Sequence, residues 1–90
     1  MENNIKTRFS PNQFLWLVSP MSSASGRNIG YSLKAVRVSK VYLENEGNGF
    51  EEHYSVWHDQ YLLAVQNKTD KLFSTLPEAF AYIKEQEDKR

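Results

Sequence analysis

The 90-residue chain contains no cysteine. Disulfides, thiolate metal sites and cysteine nucleophiles are thereby excluded, and the fold must hold together on packing and hydrogen bonds alone. Long apolar runs are also missing. The longest, Phe14-Leu15-Trp16-Leu17-Val18, falls far short of the roughly 20 residues that a membrane-spanning helix needs. The amino terminus, MENNIKTRF, shows neither the apolar stretch nor the small-residue cleavage pattern of a secretory leader, so a cytoplasmic protein is expected. Net charge is zero, which removes the global attraction of a strongly basic chain for polyanions.

What is present is an ordinary globular composition, 40% apolar with five Phe, five Tyr and two Trp. A chain of this length forms one small domain, residues 1–90, that buries roughly 60–65% of its unfolded surface. The charges are sorted along it. Residues 1–43 hold six cations against Glu2, and residues 44–70 hold six carboxylates against Lys68. Such sorting marks either a binding face or two adjacent strands that neutralise each other.

Phe14 to Val18, bounded by Pro11 and Pro20, has the length and composition of a strand. The stretch SPMSSASGRNIG that follows, residues 19–30, predicts a flexible Ser/Gly loop. Tyr31 to Glu44 is rich in β-branched and aromatic residues and predicts one long strand. Its apolar parity switches: Tyr31, Leu33 and Ala35 alternate on one side, Val36, Val38 and Tyr42 on the other, and Val41 and Leu43 return to the first. A bulge near Arg37 to Lys40, or burial of both faces, accounts for the switch. Asn45-Glu46-Gly47-Asn48-Gly49 predicts a hairpin turn into a third strand, Phe50 to Trp57. A reversal at His58-Asp59-Gln60 leads to a fourth, Tyr61 to Gln66, and a short fifth covers Lys71 to Phe73.

Thr75-Leu76-Pro77-Glu78 has the spacing of a capping box, and Leu76, Ala79, Phe80 and Ile83 form an apolar stripe behind it. The expected fold is therefore α+β: an antiparallel meander of four to five strands with one C-terminal helix packed on one face. One helix covers only one face of such a sheet. The first strand is apolar on both parities, so the other face needs a cover. The candidates are the segment around Ile5, Phe9 and Phe14, the Ser19–Gly30 loop, a second copy of the chain, or another protein.

Catalytic constellations are weak. His53 and His58, five apart on a strand, point to opposite faces and do not share a metal ion unless the strand ends before His58. Glu51 and Glu52 likewise diverge and cannot flank one bond. Ser55 has no base held by a third group. No catalytic residue, metal ligand or cofactor site is assigned, and the expectation is a non-enzymatic protein-binding or modulator module. Trp16, Tyr31, Tyr42 and Trp57 are its aromatic anchors, with Arg27 as the charged contact of the loop. The partner is an unidentified protein or a second copy forming a homodimer. A phage- or mobile-element-encoded chain of this size would suit action on a host protein. The alternative is a binder of nucleic acid or a small phosphorylated ligand through Arg27, Lys34, Arg37 and Lys40, with consecutive amides around Gly26 and Gly30 forming an anion nest.

Overall fold

The computed structural model describes residues 7–45, 47 and 49–89. Ile5, and Glu46 and Asn48 of the hairpin turn, lie outside the described residues. The elements are β1 (Phe14–Ser22), β2 (Asn28–Asn45), β3 (Phe50–His58), β4 (Tyr61–Ala64), β5 (Lys71–Phe73) and α1 (Leu76–Asp88). They form one five-stranded antiparallel sheet in the order β4-β3-β2-β1-β5, with a single C-terminal helix. The last strand returns to pair with the first, at the edge opposite β4.

Strand alternation sorts the side chains. On the inner face Leu15 lies opposite Val36, Leu17 opposite Leu72, and Val56 between Val38 and Leu63. With Phe9, Tyr54 and Val65 these residues make the main core, Val41 and Leu63 packing at its border. Each fully buried Val or Leu contributes about 1.5–3 kcal/mol. The parity switch in β2 is a bulge: Val38 pairs with Val56 and Lys40 with Ser55, leaving Ser39 unpaired. The extra residue returns Val41 and Leu43 to the inner side.

The predicted Ser/Gly loop is mostly strand. Ser19 to Ser22 extend β1 and pair with Ser32, Tyr31, Gly30 and Asn28, so the connection shrinks to Ser23–Arg27. Composition misleads here because a hairpin ladder, once aligned by the apolar residues before it, carries small polar residues along. Pro20 is tolerated because β5 ends opposite Val18 and leaves that stretch of β1 unpaired on its other side. Within the turn the Ser23 amide donates to the Arg27 carbonyl (2.8 Å) and the Gly26 amide to the Ser23 carbonyl (2.9 Å). Gly26 sits at φ +85°, a conformation that side-chain-bearing residues rarely adopt.

The helix does not cap the main core. It packs on the outer face over β1, β5 and the start of β2. There Ala79 is fully buried, and the Tyr82 ring meets Tyr31 edge-on at 6.4 Å and Phe73 at 5.3 Å. Burial of the Tyr82 phenol pushes its pKa above the ordinary tyrosine value. Of the expected stripe, Leu76, Ala79 and Ile83 are at least partly covered, but Phe80 is 55% exposed and Tyr82 takes its place. At 100° per residue, centring the contact on Ala79 and Tyr82 turns Phe80 away. The helix begins as the capping box requires: Thr75 accepts from the Glu78 amide, and the Glu78 carboxylate accepts from the hydroxyls of Thr75 (2.7 Å) and Ser74 (3.1 Å). Those hydroxyls hold the Glu78 carboxyl below its ordinary pKa.

The inner face is covered by the chain itself. Phe9 is buried against Tyr54, ring centroids 5.6 Å apart. The segment from Val65 to Leu72 crosses from one sheet edge to the other, and both of those residues are buried in the core. A Gln66–Asp70 turn supports the crossing: the Gln66 amide donates to the Asp70 carboxylate, and the Asp70 amide returns to the Gln66 carbonyl. Asn67 fastens it to β3 by donating to the Glu52 carbonyl and to Glu51.

Candidate functional site

Two surfaces remain after this packing. The first is a cleft of about 360 Å³ at the mouth of the inner face, lined in part by Arg8, Phe9, Glu52, Tyr54, Asn67 and Lys71. Among the described residues, all of these polar groups but the Lys71 ammonium are engaged within the protein. The Tyr54 hydroxyl donates to Glu52 and accepts from the Phe9 amide (3.1 Å), while the Arg8 amide donates to the same Glu52 oxygen (3.1 Å). The Arg8 guanidinium lies 4.8 Å from the Phe9 ring centroid. This network anchors the amino-terminal segment. Burial first, then the hydrogen bond to Glu52, raises the Tyr54 pKa.

A raised tyrosine pKa contributes stability that is fully present below the unfolded value, about 10, and is lost as pH rises through the folded value. Tyr54→Phe is therefore expected to lower stability by about 1–2 kcal/mol near neutrality. It should also flatten the alkaline fall seen by urea denaturation at successive pH values. An unchanged alkaline slope would place the titration elsewhere.

The second surface is the half of the outer face that the helix leaves open. Pairing aligns Phe14 with Arg37, Arg37 with Trp57 and Trp57 with Leu62, making one row across four strands. Phe14 is 75% and Leu62 55% exposed. Beside the row lie the small residues Ala35, Ser55 and Ala64, then Lys40, then Tyr42 stacked on His53 at 5.8 Å. At the far corner Glu44 pairs directly with Glu51, and His53 Nε2 approaches the two carboxylates at 2.9 and 3.9 Å. Arg37 has a side-chain hydrogen bond to Asn12 Oδ1 (3.4 Å). Among the described residues neither Arg37 nor Lys40 forms an ion pair, so the basic and acidic strands do not neutralise each other by direct contact.

The expected anchors divide between the two halves of the outer face. Trp57 and Tyr42 lie on the open half. Trp16 sits opposite Phe73 on the helix-bearing side, and Tyr31 packs on Tyr82. Arg27 is exposed in the β1–β2 turn, roughly 30 Å along the strand from Arg37. The four cations of the alternative reading do not share a face. Lys34 has the inner parity of Leu17 and donates to Ser32, whereas Arg37 and Lys40 point outward and Arg27 stands at the distant turn. The composition-based reading missed Phe14 and Leu62 as surface residues, because their alignment depends on three hairpin registers that no local motif announces.

His53 and His58, and Glu51 and Glu52, take opposite parities on β3. Among the described residues no group of three or more His, Asp or Glu side chains is placed to hold a metal ion. No helix among them is long and apolar enough to cross a membrane. Comparison of the chain with family models, with curated proteins and with solved structures gives no match.

Proposed function

We propose that the protein is a non-enzymatic protein-binding module whose contact surface is the open half of the outer face. The observation that supports this reading is the row Phe14, Arg37, Trp57 and Leu62. It sets two exposed apolar side chains around a cation and an indole on a rigid four-strand platform. Aromatic and arginine side chains dominate contact energies because they bury large area with little conformational freedom to lose. The strands hold the row in place before binding, which lowers the ordering cost of association.

The test is capture from source-cell lysate by the tagged protein, with and without nuclease. A discrete protein should survive nuclease and be lost with Trp57→Ala, whose truncation is expected to weaken binding roughly 30-fold or more. Arg27→Ala, far from the row, should retain it. Equal capture by Trp57→Ala, or loss of the bound material on nuclease treatment, would overturn the proposal, the latter in favour of a nucleic-acid ligand.

A further inference from the structure

We infer that the partner at this surface is a second copy of the chain, an inference that rests on the reading of the open outer face as a protein contact. The row is self-complementary. A two-fold axis in the plane of contact, running between β2 and β3 along the strands, lays it on its own reversed copy. Phe14 of one copy then faces Leu62 of the other, and Arg37 faces Trp57, each pair occurring twice. Isologous interfaces require this pattern of mutual pairs.

The chemistry of each pair is matched. Phe14 and Leu62 are exposed apolar side chains with little cover in the monomer. Arg37 has no carboxylate partner among the described residues, and a guanidinium over an indole face is a favourable pairing that strengthens when water leaves. A depression of about 260 Å³ lined by Phe14, Ala35, Val36, Arg37, Trp57 and Asp59 lies beside the row, and its Phe14 wall is the part that meets the Leu62 side chain of the other copy. Small residues flank the row at Ala35, Ser55 and Ala64, so two backbones can approach. The same axis brings Glu44 of one copy toward Glu51 of the other, beyond the row, so the attractive contact is confined to the row itself. Zero net charge removes long-range repulsion between copies.

A contact centred on one row of four strands is small, and weak self-association, with a dissociation constant on the order of 10–100 μM, is the expected result. Sedimentation equilibrium from about 5 μM to about 1 mM brackets that range. Phe14→Lys and Leu62→Glu should each weaken self-association about 10-fold or more, and their equimolar mixture should recover affinity, because the introduced lysine meets the introduced glutamate while the second native pair is kept. Circular dichroism verifies that both variants fold. A wild-type chain that stays monomeric at the top of the range, or a mixture no tighter than either variant alone, overturns the dimer. If the wild-type chain is monomeric yet loses a captured protein on Trp57→Ala, the dimer fails and the protein-binding reading stands. If Trp57→Ala changes neither self-association nor capture, both fail.

Discussion

Phe9→Ala is expected to lower the unfolding free energy by roughly 3–5 kcal/mol, within the range for removing a buried phenylalanine. In a chain of this size that corresponds to a fall in Tm of roughly 15–30 °C. Phe9 is the aromatic plug of the inner face: its ring meets Tyr54 edge-on, its amide donates to the Tyr54 hydroxyl, and Arg8 lies over it. Alanine keeps the amide hydrogen bond but leaves a cavity in the part of the core that Phe9 shares with Tyr54, Val65 and Leu72. Phe14→Ala is the control. Phe14 is exposed, so its replacement should change monomer stability by about 0.5 kcal/mol or less. Thermal and chemical unfolding of the two variants side by side would settle the assignment. A loss below about 1 kcal/mol for Phe9→Ala would mean that the amino-terminal segment does not close the core.

Deletion of Ser39 is expected to leave the protein folded at 25 °C, with stability changed by about 1–2 kcal/mol or less. Ser39 is the additional residue of the β2 bulge: Val38 and Lys40 pair with the consecutive residues Val56 and Ser55, so removing it leaves a continuous ladder. Without it, Val38, Val41 and Leu43 keep facing the core while Lys40, Tyr42 and Glu44 keep facing outward, because side-chain direction alternates residue by residue. Ser39→Ala keeps the backbone count and should remain folded, with stability changed by about 1 kcal/mol or less. Circular dichroism and amide-proton dispersion distinguish the outcomes. A deletion variant that fails to fold would show that the strand needs the bulge itself and not only the facing of its residues.

Several features were legible before any coordinates were considered because they depend on neighbours in the chain. The capping box at Thr75 and Glu78 is a local exchange of hydrogen bonds. The opposite facing of His53 and His58 follows from strand parity. The parity switch between Val38 and Val41 pointed to an inserted residue, and the register contains one. Where the reading went astray, a distant element intervened. Ser19 to Ser22 and Asn28 to Gly30 look like a loop, yet pairing across the hairpin makes them strand. Phe80 belongs to the apolar stripe by composition, but the direction from which Tyr31 and Phe73 meet the helix selects Tyr82 instead.

The sequence by itself determined the class of fold, the strand and helix positions to within a few residues, and the absence of thiol chemistry, because each follows from periodicity, local capping or composition. Only the tertiary structure decided which apolar residues became core and which became surface. Phe9 and Phe14 are equally apolar in the sequence; the crossing of Val65–Leu72 and the fold-back of the amino-terminal segment bury one, and the β1–β2 register places the other in the open row. The same registers separated Lys34 from Arg37 and brought Arg37 beside Trp57. Contacts between residues far apart in the chain are set by how whole strands align, and that alignment is a collective property of the core.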